Sequence, residues 1–321
     1  MKKQGIVKRF GATVVNYKAF FAVLVMLIMM LFSNTRFYTV FNILDMLNSA
    51  SILMIVSFGL TLVILAGAID LSVGGSLVLG GILTIQALSV MPMWLAILVG
   101  TLSGAVVGLI NGYIIVYQKT EPMIVTLGTS IVITGVAQQL TDAHPISAEG
   151  IDFMMIANGK MFGVIPNLVV IMLVVFVLFY ALLRFTQFGR NIYAIGGDYE
   201  VAEYSGIDVK KIKAATYVLA GLTAAFAGVL LSSKLNSASS IYGDQTALTV
   251  ISGIVVGGTS LAGGVGGVGR SLVGLLVFAV MENAMNMLHI DAYVQQVIRG
   301  VIIVAILALD SYDRKRKREN V

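Results

Sequence analysis

The sequence predicts an all-α integral membrane protein of about ten transmembrane helices, and three observations carry that expectation. Hydrophobic residues make up 58% of the 321 and charged residues only 12%, with a mean hydropathy of +0.95, against roughly 25% charged in a soluble domain. Apolar runs of about 20 residues recur, the length that crosses a ~30 Å hydrocarbon core at ~1.5 Å per helical residue. The four prolines, Pro92, Pro122, Pro145 and Pro166, all fall at the edges of those runs, where a missing N–H costs least. Helices rather than open strands follow, because lipid offers no partner to an unpaired backbone group.

Taken in order, the first span centres near Met26. Its apolar stretch, residues 19–32, is short and follows a basic start, the shape of a signal peptide; no A-x-A-like cleavage site follows it, so a retained helix extended back through Val14 is expected. The second and third spans, near Ile55 and Leu79, are joined by GAIDLSVG, where Asp70 and Ser72 can cap the third helix by accepting its orphan N–H groups. The fourth, near Val106, carries Gly100, Gly104, Gly108 and Gly112 on one face, a device for close approach of a helix from this chain or from a second copy. The fifth, near Ile133, repeats Thr126, Ser130, Thr134 and Gln138 at i, i+4. That stripe is either packing, with hydroxyls bonded back to the helix, or the wall of a solute pathway. A sixth span near Val174 precedes a long polar stretch, and four more centre near Gly221, Val255, Leu276 and Ile303.

Residues 59–81 and 247–269 are alike in their glycine-rich composition. They form a candidate inverted repeat whose copies are expected to cross in opposite senses, or else a chance likeness of two such stretches. GVGGVGRS at residues 264–271 satisfies G-x-G-x-x-G and nearly a Walker A loop, with Arg270 in place of lysine. Both motifs need a preceding strand and a βαβ unit, so a tight glycine turn is expected there, with no ATP hydrolysis by this chain alone.

Charge sets an expected topology. With the N-terminus in the cytoplasm, Arg36, Lys160 and Lys234 fall outside and Arg299 within the last span, which leaves 17 of the 21 Lys and Arg inside. The same distribution explains the net charge of +5 without nucleic acid as a partner, since the basic residues adjoin apolar segments. The absence of cysteine excludes disulfides, thiol nucleophiles and cysteine metal sites. No cofactor, metal or catalytic residue is called for. The expected organisation is a cytoplasmic segment over residues 1–18, a permease domain over 19–309 and a basic cytoplasmic tail over 310–321.

Two features stand out as functional. Glu282 and Arg299 are the ionisable residues clearly inside spans, on either side of a short outer turn, and each is expected ~10 Å deep on adjoining antiparallel helices where they can pair. Asn286 and Gln295 extend the two polar faces. The hairpin is either a structural pair or a hydrated face for a polar solute. The second feature is the polar stretch of residues 186–213, too long for an ordinary helix connection. Asp198 suits an N-cap, Glu200 the positive helix end and Gly206 a terminator. Tyr199, Glu200, Val201, Ala202, Glu203, Tyr204 and Ser205 then make about two turns. Val201 and Tyr204 share one side as a contact patch, and a helix this short needs packing against something to be ordered.

GLTLVILAGAIDLSVG, EPMIVTLGT, FGRNIYAIGGDYEVAEYSGIDVKKIK and VVGGTSLAGGVGGVGRSLVG occur in the order seen in the membrane permease subunits of bacterial ribose-type sugar ABC transporters, and the chain resembles that family from about Phe41 to Leu309. The resemblance implies a type II-like importer permease in the bacterial plasma membrane that pairs with a second copy or related paralogue. It implies an ATP-hydrolysing partner subunit, usually of two fused halves, and a periplasmic or extracellular sugar-binding protein that delivers a monosaccharide. It further implies that residues 198–206 form the coupling helix that docks on the ATPase. Arg270 and Ser271 stand where the family more often has Gly and Thr, and Asp198 where Asn is common; the first departure bears on the local turn, the second exchanges one N-cap for another. An ion-coupled secondary transporter, with Glu282 as its best ion-site candidate, is the rival reading.

Overall fold

The computed structural model describes residues 35–302 and 304, and helices carry the fold. In chain order these are α1 (Val40–Leu65), α2 (Val73–Leu88), α3 (Met93–Tyr117), α4 (Pro122–Thr141), α5 (Asp152–Asn158), α6 (Asn167–Phe185), α7 (Gln187–Gly197), α8 (Tyr199–Tyr204), α9 (Val209–Leu235), α10 (Thr246–Val256) and α11 (Val268–Met287). Residues 292–302 are helical as well and are termed α12. Two antiparallel ladders of two-residue strands, β1 (Ile146–Ser147) with β4 (Ser237–Ala238) and β2 (Lys160–Met161) with β3 (Ile165–Pro166), tie loops together.

Six of these helices, α1, α3, α4, α6, α9 and α11, are long and apolar enough to cross a membrane. The expected spans near Leu79 and Val255 are corrected: α2 has 16 residues and α10 has 11, or about 24 and 17 Å at the helical rise. Each borders a break in the helix, entered at Gly67 (φ +73°) and Gly258 (φ +90°). Such backbone is tolerated within a membrane protein where other helices cover it, and Ala66, Ala68, Asp70, Ser72 and Thr259 are all buried. The expected first span near Met26 and the basic termini lie outside the described residues, as does Ile303.

α9 is the central element. Its small residues let α1, α2 and α3 approach within backbone contact: a Cβ on Gly104 would collide with the Gly221 carbonyl, and one on Gly108 with the Tyr217 carbonyl. Gly112 meets Ala214, while Gly100 meets Gly80 and Thr84 of α2. The glycine face of α3 is therefore spent within this chain. Around that seam α1 buries a continuous set including Met54, Ile55, Phe58, Leu62 and Leu65, whereas α3 and α4 leave most of their apolar side chains exposed, as lipid or another apolar surface requires. Gly104→Val is expected to cost about 1–3 kcal/mol by overpacking, read as a lowered thermal midpoint of the detergent-solubilised protein, although valine suits a membrane helix by hydropathy.

Helix directions correct one further expectation. α1 and α11 are antiparallel, since Asn42 pairs with Asn283 through two amide hydrogen bonds of 2.9 and 3.0 Å while Thr61 Oγ1 lies 2.7 Å from Ser271 Oγ. α10 folds back against α11, with Gly253 against Gly274 and Gly257 against Arg270. α10 thus runs parallel to α1, so residues 59–81 and 247–269 enter their breaks in the same sense and do not cross oppositely. Composition alone suggested the repeat, and composition carries no direction.

Candidate functional site

The polar stretch of residues 186–213 is more structured than its sequence suggests. Thr186 caps α7 by accepting from Gly189 N at 3.2 Å, Asp198 caps α8 by accepting from Val201 N at 3.0 Å, and Asp208 caps α9 by accepting from Lys211 N at 3.1 Å. α8 ends as a Schellman motif: Ile207 N donates to Ala202 O at 3.2 Å and Gly206 N to Glu203 O at 3.0 Å, with Gly206 at φ +81°. The hydrophobic contact that accompanies such an ending is present, because Ala202 and Ile207 share a small core with Ile195, Val209 and Ile212. Order in this short helix therefore comes from its own caps and that core. Outside them Val201 is 60% and Tyr204 89% exposed, with Glu200, Glu203 and Ser205 also exposed.

Sequence reasoning missed α7 here and placed the start of α9 inside the loop. The signal was present: Thr186 followed by Phe188, Ile192 and Ile195 has a cap and helical apolar spacing. The Lys211 ammonium, hydrogen-bonded to Asp208 at 2.8 Å, holds that carboxyl below its ordinary value. A depressed carboxylate pKa means the cap is intact above the usual carboxylate range and lost as pH falls through the lowered value. Protection of the Lys211 amide from exchange, relative to its intrinsic rate, should persist through the usual carboxylate range and fall only at lower pH.

This unit is joined to the helix breaks through glycine. A Cβ on Gly196, at the end of α7, would collide with Leu65 O and Gly264 N. Gly264 N in turn donates to Leu65 O at 2.9 Å, and the position of a Cβ on Gly263 is 2.9 Å from Gly67 Cα and 3.0 Å from Gly196 Cα. Three backbones, the end of α1, the end of α7 and the turn between α10 and α11, thus meet without side chains between them. Tyr193 Oη donates to Gly266 O at 2.9 Å and Arg270 Nη1 to Gly258 O at 3.2 Å, which pins the turn from both sides. The GVGGVGRS turn leads from a helix into a helix and serves as this joint; Arg270, a departure from the resembled family, supplies one of its hydrogen bonds.

Beside the first break lies a buried polar cluster. Asp70 Oδ1 accepts from Ser72 N at 2.8 Å and Ser72 Oγ at 2.6 Å; Ser72 Oγ accepts from Asn111 Nδ2 at 2.8 Å, and Asn111 Oδ1 from Thr129 Oγ1 at 2.7 Å. Asp70 therefore closes a turn onto Ser72, and the expected side-chain cap on α2 is absent: the short carboxylate reaches the nearest N–H, two residues on, before the helix starts. Thr126 is fully buried, accepting from Leu71 N at 3.1 Å and donating to Pro122 O at 2.8 Å. Ser130 lies against Gly75 of α2, Thr134 is half-buried and Gln138 exposed. The stripe on α4 thus passes from the protein interior to its surface along its length.

At the opposite end, α11 and α12 form the expected polar hairpin. Arg299 Nη2 stands 3.5 Å from Glu282 Oε1, and Gln295 Nε2 donates to Asn286 Oδ1 at 2.9 Å and to Ile290 O at 2.8 Å. The Glu282 side chain is 50% exposed in the chain, so a double-mutant cycle of Glu282→Gln with Arg299→Gln should return a coupling of about 0.2–1 kcal/mol, and zero coupling would remove the pair. Both helix ends border a cavity that also takes in Asp45, Ser49 and Asn283.

Apolar helices with exposed apolar outward faces, and with polar groups gathered at the two ends and along one interior seam, are the makings of a multi-pass membrane permease. The profile of the family described as "Branched-chain amino acid transport system / permease component" matches residues 42–307, and the chain belongs to that family. It is 35% identical to the ribose import permease protein of Haemophilus influenzae, over 97% of this chain and 98% of that one. It is 39% identical to the Bacillus subtilis ribose import permease protein over 91% of each, and 33% identical to an L-arabinose transport system permease protein of Escherichia coli over 88% of this chain and 86% of that one. The resemblance to ribose-type permeases is borne out by these relatives. No solved structure matches the chain significantly.

Proposed function

We propose that this chain is the permease subunit of an ATP-driven importer that passes a monosaccharide across the bacterial plasma membrane. The single observation that carries the reading is the exposed, doubly capped α8, held by its own small core and joined through Gly196 to both helix breaks. An element that is rigid, solvent-facing and mechanically tied to the bundle suits a partner that pushes. Asp198, Glu200, Val201, Glu203 and Tyr204 are its docking face, and Gly206 its stop. The ATPase belongs to a separate chain, a solute-binding protein delivers the sugar on the other side, and a second permease copy or paralogue completes the pathway. Cytoplasmic termini complete the topology, with the segments 1–18 and 310–321 flanking the permease domain.

Transport follows from alternating access. ATP binding closes the partner ATPases, α8 moves with them, and the glycine joint carries the motion to α1, α10 and α11. Ser130, Thr134 and Gln138 on α4, with Thr126 at their buried end, and Glu282, Asn286, Gln295 and Arg299 on α11 and α12 are the polar groups assigned to the pathway. The chain has no cysteine, so Tyr204→Cys gives a single thiol on α8. Co-expressed with its ATPase, that thiol should cross-link to the ATPase surface, and Tyr204→Asp should lose co-purification; retention of the complex by Tyr204→Asp and no cross-link would reject α8 as the docking face.

A further inference from the structure

At the ends of α1, α10 and α11 that lie away from α8, and bordered by α12, is a cavity of about 230 Å³. Asp45 and Ser49 of α1, Glu282 and Asn286 of α11, and Arg299 of α12 supply its polar groups, over an apolar floor that includes Leu275 and Phe278. A second cavity of about 190 Å³, lined by Lys234 and Tyr242, adjoins it at Ser49 and Leu53. Lys234 Nζ donates to Ser49 Oγ at 3.3 Å, and its charge is within electrostatic reach of Asp45 and Glu282. The two cavities adjoin along Ser49 and Leu53 and are taken together as one basin, on the side that the permease reading assigns to the delivering protein.

We infer that this basin is a weak binding site for one small neutral polyol within the permease itself. The inference rests on the permease reading and names the place where the solute pauses. Two carboxylates face an ammonium and a guanidinium, so the basin carries no net charge. Both cations are already engaged, Arg299 by Glu282 at 3.5 Å and Lys234 by Ser49, which leaves no bare positive charge for a carboxylate or phosphate ligand. Asp45 makes no hydrogen bond or ion pair among the described residues, and a carboxylate accepts only. Adjacent hydroxyls answer that inventory: each donates to Asp45 or Glu282 and accepts from Arg299, Lys234 or Asn286, while the C–H face of a sugar ring covers the apolar floor.

The test uses the permease–ATPase complex in proteoliposomes. In this cysteine-free chain Ser49→Cys places one thiol where the two cavities meet, and a membrane-impermeant methanethiosulfonate reports its accessibility. Millimolar D-ribose, L-arabinose or D-allose should slow modification at least threefold for one of the three, with no protection by L-leucine or D-gluconate. Protection by leucine or gluconate, or by none of the five, would overturn the site. Asp45→Asn supplies an independent arm: loss of one charge-assisted hydrogen bond should lower uptake at subsaturating sugar about tenfold, with ATP hydrolysis stimulated by the sugar-binding protein kept within twofold. Unchanged uptake in Asp45→Asn would also overturn it. Uptake by the unmodified chain without any ATPase would instead overturn the importer reading on which the site rests.

Discussion

Gly196→Ala is expected to abolish coupled transport and to lower the thermal midpoint of the permease, against the sign that local propensity dictates. Gly196 lies within the last turn of α7, and in a helix alanine is favoured over glycine by about 1 kcal/mol. The added methyl would meet two backbone groups, Leu65 O and Gly264 N, and neither can rotate aside as a side chain can. Relief requires α7 to withdraw from the end of α1 and from the α10–α11 turn, which breaks the hydrogen bond between Gly264 N and Leu65 O. Overpacking of this kind costs about 1–3 kcal/mol, and it separates the docking unit from the bundle. The neighbouring Gly197 is the internal control, since a Cβ there meets nothing within 4 Å; Gly197→Ala should keep both stability and transport. Equal behaviour of the two variants would show that the joint is not close-packed.

Changes on α8 should separate docking from folding. Glu203 is exposed and makes no ion pair among the described residues, so Glu203→Lys should alter stability by less than about 0.5 kcal/mol. It reverses a charge on the docking face, and uptake should fall at least tenfold while the ATPase continues to hydrolyse. Gly206 acts differently. Its φ of +81° is costly for a residue with a Cβ, about 1–2 kcal/mol, and space is not the issue because nothing stands within 4 Å of the added atom. Gly206→Ala should fray the Schellman ending of α8 and uncouple hydrolysis from uptake, whereas Gly206→Asn, which tolerates the left-handed region, should recover most of the loss. Coupling left intact in both Glu203→Lys and Gly206→Ala would count heavily against α8 as the transmitting element.

Much of this was legible in the sequence for physical reasons. Apolar runs announce spans because lipid tolerates little else, and Asp198, Gly206 and the alternation of glycine on α3 declared a capped helix and a packed face from residue chemistry alone. The partners of the glycine face could not be read, since Gly104 against Gly221 is a contact over more than a hundred residues. Lengths failed at α2 and α10 because hydropathy does not register where a glycine admits a break. The buried cluster of Asp70, Ser72, Asn111 and Thr129 escaped notice for a related reason: Asn111 and Thr129 are single polar residues in apolar runs, and only the fold brings them to Asp70. The joint at Gly196 was equally hidden, as a close backbone approach has no side chain to announce it.

Uptake in reconstituted vesicles tests the central claim most directly. The permease is placed in proteoliposomes alone, with its ATPase, and with the ATPase and the sugar-binding protein, and accumulation of a radiolabelled monosaccharide is followed with and without ATP. Accumulation only when ATPase, binding protein and ATP are all present is the predicted result, and the same preparation carrying Gly196→Ala should accumulate none. Accumulation by the chain alone, driven by a proton or sodium gradient and indifferent to ATP, would contradict the account.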